Sequence, residues 1–269
     1  MDRDQFDIEG VTLSVARSGH GQPFLFQHGL CGAADQPADV FPGDLDYQCV
    51  TLECRGHGLS DFGKASDLSL ARFAQDLEVF VDSFKTGPLP IGGISMGAAI
   101  TTRLAVRRPD LVSGLVIARP AWIDAMAPDN LAAIRAVAQH LAQFEPREAQ
   151  DRFEQSPLAA NLAREAPDNL ASLLGFFRRE PIAQTQALLE AISRDGPGIT
   201  QSDLAEIRCP VMVIGTARDA VHPLQMAKKL AELMPNARLV EITSKADSMA
   251  RYRAEFEDAL RRFIEETQS

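Results

Sequence analysis

The chain has 269 residues, of which 45% are hydrophobic, so it can form one sizeable α/β domain or two small ones. Its 37 acidic residues outnumber its 27 lysines and arginines, and the net charge is −10. Basic residues are concentrated only in short pairs such as Arg107 and Arg108. This balance argues against a nucleic-acid partner.

The sequence also lacks the usual signals for export or membrane insertion. The N-terminal stretch "MDRDQFDIEG" is charged and has no apolar segment of the kind found in a secretory signal. No run approaches the roughly 18 apolar residues of a membrane span. Cys31, Cys49, Cys54 and Cys209 show no CxxC spacing and suit a reducing compartment. We therefore expect a cytoplasmic protein with no membrane partner.

Short apolar runs alternate with helical patterns along most of the chain. This alternation predicts an α/β fold in which a mostly parallel sheet is covered by helices on both faces. The run "VTLSVA", at 11–16, alternates in polarity as an edge strand would. The other runs have the continuous apolar character of strands buried on both faces. They are "FLFQ", "CVTLE", "LPIGGI", "LVSGLVIA", "CPVMVIG" and "ARLVEI".

Three segments have apolar residues at helical spacing: one from Ser69, "HPLQMAKKLAELM" and "RAEFEDALRRFIEE". Ser69 is suited to cap the first of them. From about Asp124 to Ser202 the alternation stops, and helical patterns interrupted by prolines replace it. We predict that residues 124–202 form a helical cap inserted into an α/β core made of residues 1–123 and 203–269.

The segment "PIGGISMGAA" contains Gly93-Ile94-Ser95-Met96-Gly97, a G-x-S-x-G motif between an apolar strand and a predicted helix. That context is typical of a turn in which strained backbone angles expose a serine hydroxyl at a helix N-terminus. Backbone N–H groups and the helix dipole favour a developing negative charge there. We interpret Ser95 as a nucleophile; the alternative is a glycine-rich turn with an incidental serine.

A second segment, "FLFQHGLCG", leads from a strand directly into His28, Gly29 and Leu30. The backbone N–H of Leu30 is a candidate to hold an oxyanion together with that of Met96. We expect His28 to form local hydrogen bonds. Cys31 is either a reactive residue beside the substrate or a small buried apolar side chain.

With these motifs the chain resembles the α/β-hydrolase superfamily over nearly its whole length. The segment "LECRGHGLSD", at 52–61, is similar to the family's D-x-R-G-x-G-x-S pattern, with Glu53 in place of aspartate. The stretch "RRPDLVSGLVIARP" resembles the family's segment after the nucleophile helix. The resemblance implies an eight-stranded, mostly parallel sheet, a cap after the sixth strand, and a serine, acid and histidine in that order.

The resemblance places the acid after the seventh strand, where "VMVIGTARDAVHP" offers Asp219. The alternative is a solvated aspartate that caps the next helix. The family's histidine follows the last strand, but in "VEITSKADSMARYRAEF" Ala246 and Asp247 occupy the Gly-His position. An aspartate is ionised near neutral pH and is too acidic to replace imidazole as a base. The usual triad is therefore absent from the sequence.

The remaining histidines must then supply a base if one exists. They are His20, His28, His57, His140 and His222. Only His222 stands on the loop of the candidate acid, three residues after Asp219. We predict that His222 is the base, oriented by Asp247 or by Asp219. The alternative is that His222 caps a helix or fills the wall of the site.

Two interpretations of function follow. In the first, the chain is a serine hydrolase that cleaves a small ester, lactone or thioester, or a carbon–carbon bond, through an acyl-enzyme on Ser95. It then needs a small-molecule substrate and neither a metal nor an organic cofactor. In the second, the lost histidine marks a non-hydrolytic or ligand-binding member of the fold. The intact serine turn favours the first.

The only tryptophan, Trp122, lies in "ARPAW" at the end of the sixth strand. In the family that the chain resembles, the sheet delivers residues to the site at that end, so the resemblance makes Trp122 a candidate wall of the substrate cavity. The alternative is packing in the core or against the cap. No pattern in the sequence specifies an oligomeric state.

Overall fold

The computed structural model describes residues 1–267, so the last two residues of the predicted core segment 203–269 lie outside the described part. Within it, eight strands form one sheet in the order β1-β2-β4-β3-β5-β6-β7-β8. β2 is antiparallel to β1 and to β4, and the other neighbours are parallel. The predicted eight-stranded, mostly parallel sheet is confirmed. The strands are β1 Asp2–Ile8, β2 Val11–Gly19, β3 Gln22–Gln27, β4 Tyr47–Leu52, β5 Leu89–Ile94, β6 Val112–Ala118, β7 Val211–Thr216 and β8 Ala237–Ile242.

Helices connect the strands and cover the sheet on both faces. Ser69 caps α2 as predicted, because its hydroxyl accepts a hydrogen bond from the N–H of Arg72 at 3.1 Å. No helix within residues 1–267 has the length and apolar character needed to span a bilayer. The helices are α1 Asp35–Ala38, α2 Leu70–Asp82, α3 Met96–Arg107, α4 Ala132–Gln143, α5 Pro146–Glu154, α6 Pro157–Glu165, α7 Pro167–Phe176, α8 Ile182–Arg194, α9 Gln201–Ala205, α10 Leu224–Leu233 and α11 Met249–Thr267.

Strand β7, which lies between β6 and β8, shows why the sequence pattern is continuous rather than alternating. Val211 and Val213 belong to the apolar core that includes residues of α2, α3 and α10. Met212 and Ile214 belong to the second core, on the other face, which includes residues of α11. Each strand side chain is therefore buried whichever way it points, as expected for a parallel sheet between helical layers.

The N-terminal hairpin corrects one prediction from the sequence. β1 is mostly charged and polar, and it pairs with β2 through Glu9 and Gly10. Their φ angles of 49° and 77° suit the two-residue turn that matches the twist of paired strands. β1 is the edge of the sheet, so the prediction of 11–16 as an edge strand is wrong: β2 lies between β1 and β4. Charged residues are favoured on an exposed edge, which accounts for a strand without an apolar run.

The segment 52–61 anchors β4 to its surroundings. Arg55 is buried and donates through Nε and Nη2 to the two carboxylate oxygens of Asp76 on α2, at 2.7 and 3.0 Å. The buried Glu53 carboxylate accepts the N–H groups of Ala34 and Leu59, both at 2.9 Å. These bonds tie β4 to α2 and to the loop after β3. The segment therefore supports the framework of the site.

The buried ion pair gives a test of this framework. We expect Asp76→Ala to lower the free energy of unfolding by about 3–5 kcal/mol, because it leaves the buried Arg55 guanidinium with only a 3.5 Å contact to Asp67. Urea denaturation of the intact chain measures the change. The control is Asp258→Ala, which removes an exposed pair with Arg262 and should cost at most about 0.5 kcal/mol. Equal effects of the two changes would contradict this account.

Candidate active site

One cavity of about 210 Å³ lies at the carboxyl ends of the parallel strands. It is lined by Leu30 after β3, Ser95 after β5, Arg119 after β6, His222 after β7 and Lys245 after β8. Loops at this edge of a parallel sheet converge, which brings residues distant in sequence into one site. Residues of α4 and α7 form the opposite wall: Ile134, Asn169, Ser172, Leu173 and Phe176.

Ser95 occupies the sharp turn between β5 and α3. Its φ of 58° and ψ of −110° are strained for a residue with a side chain. Its N–H donates to the carbonyl of Ala118 at 2.9 Å, which holds the turn against the end of β6. A Cβ on Gly93 would lie 2.2 Å from Gly97, and a Cβ on Gly97 would lie 2.4 Å from the Gln27 carbonyl. The close approach of three chain segments thus requires both glycines.

His222 joins Ser95 to Asp219. Its Nε2 lies 2.8 Å from Ser95 Oγ, and its Nδ1 lies 2.9 and 3.0 Å from the two oxygens of Asp219. With a carboxylate at Nδ1, the proton belongs on Nδ1 and Nε2 accepts the serine hydroxyl proton. The backbone N–H of His222 also donates to Asp219 Oδ1, at 2.9 Å. The structure therefore brings Ser95, His222 and Asp219 together in one hydrogen-bonded line.

Arg119 is a member of the site that the sequence interpretation missed. It is buried directly after β6, and its Nε and Nη2 donate to Asp219 Oδ2 at 2.8 and 2.5 Å. Such pairing of one carboxylate with a guanidinium is short and directional. The signal in the sequence was a charged residue immediately after the apolar run Leu115–Ala118, at the edge where site residues converge.

The electrostatic environment sets the protonation states. Burial raises the pKa of Asp219, but His222 and Arg119 lower it more, and the net pKa lies well below that of an ordinary aspartate. Burial lowers the pKa of His222 below 6.5, and Asp219 only partly offsets this while Arg119 adds to it. Asp219 is therefore ionised and His222 is neutral at neutral pH.

Asp247 is not brought to His222. Its carboxylate is 46% exposed and accepts from Arg218 Nη1 at 2.6 Å. The turn that follows β8 instead directs Lys245 toward the cavity. Of the two carboxylates suggested by the sequence, the structure joins Asp219 to the imidazole, and the placement of Asp247 beside it is corrected.

The backbone N–H groups of Leu30 and Met96 are both available beside Ser95. Met96 is the first residue of α3, and Leu30 lines the cavity. Within residues 1–267 neither N–H donates to a backbone or side-chain acceptor. His28 forms the local bonds expected of it: its Nδ1–H donates to the Gly29 carbonyl at 2.8 Å, and its Nε2 accepts the Cys54 N–H at 3.0 Å.

The structure places the two predicted cavity residues Cys31 and Trp122 differently. Cys31 lines the cavity, but burial raises the pKa of its thiol to about 12, so it is neither ionised nor nucleophilic at neutral pH. Trp122 is buried elsewhere, and its indole N–H donates to the Asp195 carbonyl at 3.0 Å. Trp122 does not line the cavity, so its placement at the substrate wall is corrected. Arg119, directly after β6, lines the cavity instead.

Among residues 1–267, no group of three or more His, Cys, Asp or Glu side chains is arranged to hold a metal ion.

Residues 22–247 match the family model described as the alpha/beta hydrolase fold. The chain belongs to the α/β-hydrolase fold family. A pimeloyl-[acyl-carrier protein] methyl ester esterase of Chromobacterium violaceum is 30% identical over 260 residues, covering 86% of this chain and 89% of the relative. Together with the family match, such hydrolase relatives identify the chain as an enzyme of hydrolase type.

Two solved structures have the same fold as this family member. The enol-lactonase of Burkholderia xenovorans LB400 has a TM-score of 0.73 and 19% identity, over 97% of this chain and 99% of the other. A bromoperoxidase from Bacillus anthracis has a TM-score of 0.75 and 17% identity, over 98% and 100%. At these identities the likeness supports the fold.

Titration of His222 tests which carboxylate acts on it. We expect its pKa, followed by NMR of the imidazole and assigned with His222→Gln, to lie below 6.5. Asp219→Asn should lower the pKa further, because the carboxylate raises it and Arg119 would be left unpaired. Asp247→Asn should leave it unchanged. A shift with Asp247→Asn, and none with Asp219→Asn, would contradict the geometry.

Proposed function

We propose that the chain is a serine hydrolase that cleaves a small ester, lactone or thioester through an acyl-enzyme on Ser95. The observation that carries the proposal is the hydrogen-bonded line from Ser95 Oγ to His222 Nε2 at 2.8 Å and from His222 Nδ1 to Asp219 at 2.9 Å. A nucleophile, a base within hydrogen-bond reach and a third group that orients the base define this type of site. The ester-hydrolase relative from Chromobacterium violaceum supports the same reaction class.

In the first half of the reaction, Ser95 Oγ attacks the substrate carbonyl carbon as His222 Nε2 takes the hydroxyl proton. The carbonyl oxygen becomes negative and is held by the N–H groups of Leu30 and Met96. His222 then gives its proton to the leaving oxygen or sulfur, the bond to that atom breaks, and the acyl group remains on Ser95.

In the second half, water attacks the acyl-enzyme while His222 accepts its proton. The proton passes to Ser95 Oγ as the acid product leaves, which restores the starting state. Asp219 stabilises the imidazolium that forms twice in this cycle. Arg119 keeps Asp219 ionised and fixed, and its positive charge also lowers the basicity of His222.

The helical segment 124–202 serves in this proposal as the cap over the site. Residues of α4 and α7 contribute apolar side chains, Ile134, Leu173 and Phe176, and polar ones, Asn169 and Ser172, to the lining of the cavity. Asn169 of α7 accepts the N–H groups of Ala220 and Val221 at 2.7 and 3.2 Å, so the segment also holds the loop that carries acid and base. A cap that excludes bulk water from the cavity strengthens the electrostatic interactions within it.

Labelling by a fluorophosphonate tests the activated serine. Intact-mass analysis should find one adduct on the wild type and none on Ser95→Ala. His222→Ala should slow labelling by about a thousandfold, because the hydroxyl loses its base. Asp247→Ala is the control and should label like the wild type. Absence of labelling in the folded wild type would overturn the proposal and favour a ligand-binding or non-hydrolytic protein.

The pH dependence of hydrolysis follows from the environment of His222. The base must be neutral, and the lowered pKa keeps it neutral at pH values where an ordinary histidine is protonated. We expect the acid limb of kcat/KM for 4-nitrophenyl acetate to have its midpoint below pH 6.5. A midpoint above that value would show that the imidazole is not held as described.

A further inference from the structure

Lys245 is a cavity residue that the proposed chemistry does not use. It stands three residues after the end of β8, in the turn where the family's Gly-His pattern is missing. Ser244 Oγ accepts the Arg218 N–H at 2.9 Å, which ties this turn to the loop of the acid and the base. Lys245 therefore has a fixed backbone position and lines the same cavity as Ser95 and His222.

The ammonium group of Lys245 has no hydrogen-bond or ion-pair partner among residues 1–267. Its nearest stabilising contact is the face of Tyr252, whose ring centroid lies 4.9 Å from Nζ. The same ring also faces Arg119, with Cζ 5.9 Å from the centroid. Two cations thus contact one buried aromatic ring. No salt bridge with a carboxylate among residues 1–267 neutralises Lys245.

Of the other charges near the cavity, Arg119 and Asp219 are paired with each other, whereas the Asp168 carboxylate forms no ion pair among residues 1–267, and its Oδ1 is buried without a hydrogen-bond partner. Asp219 is also bonded to His222. Asp168 acts on Lys245 from a distance. Burial and the proximity of Arg119 lower the pKa of Lys245 to about 8, so the ammonium form still predominates at neutral pH. The cavity therefore contains one cation that lacks a counter-ion, in a chain whose net charge is −10.

A partly desolvated ammonium without an acceptor is unfavourable until an anion reaches it. A single carboxylate supplies one negative charge and oxygens that accept from Nζ. A doubly charged phosphate would bring a second negative charge into a cavity whose lining has two permanent cations, Lys245 and Arg119, and Arg119 is already paired with Asp219. The surroundings therefore favour a monovalent anion.

We propose that Lys245 binds a free carboxylate of the substrate, so that the preferred substrates are small esters, lactones or thioesters that carry a carboxylate. This inference rests on the proposed hydrolysis at Ser95 and specifies its substrate class. Lys245 is a specificity-determining residue in this role; it transfers no proton itself, although its charge contributes to lowering the pKa of His222.

Two esters of equal length test the inference: mono-4-nitrophenyl adipate, which has a free carboxylate, and methyl 4-nitrophenyl adipate, in which that group is capped. The wild type should prefer the first. Lys245→Met keeps an unbranched apolar side chain that is one atom shorter, and it removes the charge. It should lower kcat/KM for the free acid ~10- to 100-fold, mainly through KM, as for loss of a hydrogen bond to a charged group. The capped ester should change by less than about threefold.

Lys245→Arg restores the charge and should restore the preference for the free acid. Equal losses on both esters, or no loss on either, would overturn the inference. Circular dichroism and thermal unfolding of each variant separate a loss of recognition from a loss of folding.

A binding measurement separates this inference from the hydrolysis proposal. Adipate should bind to wild-type protein in isothermal titration calorimetry, and Lys245→Met should weaken it at least about tenfold; dimethyl adipate is the neutral control. Adipate binding that depends on Lys245, with neither ester cleaved, would sustain the carboxylate site and overturn hydrolysis. Cleavage of both esters without preference, and no binding of adipate, would overturn the carboxylate site and leave hydrolysis standing.

Discussion

The hydrogen bonds between Asp219 and His222 are the interaction on which the rest of the site depends. One carboxylate oxygen accepts both the backbone N–H and the ring Nδ1–H of a residue three positions away, each at 2.9 Å. Asp219 and His222 are therefore aligned by the local backbone of a single loop. Ser95 presents its hydroxyl to His222 from the end of β5, two strands away in the sheet, through the strained turn that follows that strand.

The neighbours of this loop hold it from three sides. Arg119 binds the second oxygen of Asp219 from the end of β6. Asn169 accepts its backbone N–H groups, and Asn130 donates to the Val221 carbonyl at 2.6 Å, both from the segment between β6 and β7. Ser244 binds the Arg218 N–H from the turn after β8. The protein thus surrounds a short polar loop with partners, so that few of its buried groups are unsatisfied.

The sequence predicted the parts of the fold that depend on apolar periodicity. The buried strands and α2 are recognisable because burial on one or both faces dictates side-chain type. β1 was missed because an exposed edge strand has no such requirement. Within the site, the turn around Ser95 was recognisable because its glycines are required by close backbone contacts that no larger residue permits.

Whether each of the remaining site residues reaches the cavity depends on the direction of its side chain, which a linear sequence pattern does not show. Asp247 and Lys245 are two positions apart, yet one is exposed beside Arg218 and the other lines the cavity. Trp122 and Arg119 are likewise three positions apart, and only Arg119 reaches the cavity. The course of a loop after a strand end decides each case, and that course is set by tertiary hydrogen bonds rather than by local sequence.

Because Asp219 and His222 lie on one loop, the loops after β7 and β8 have different roles in the proposed site. When the base follows β8, the alignment of the proton relay requires β7 and β8 to keep their relative position to within a fraction of a hydrogen-bond length. Here the hydrogen-bonded line from Ser95 to Asp219 contains no residue after β8, and the turn at 243–248 supports it only through the Ser244 bond to the Arg218 N–H. An exchange at position 245 that keeps Ser244 would change the lining of the cavity without removing a member of that line, which makes this position a natural place to engineer selectivity.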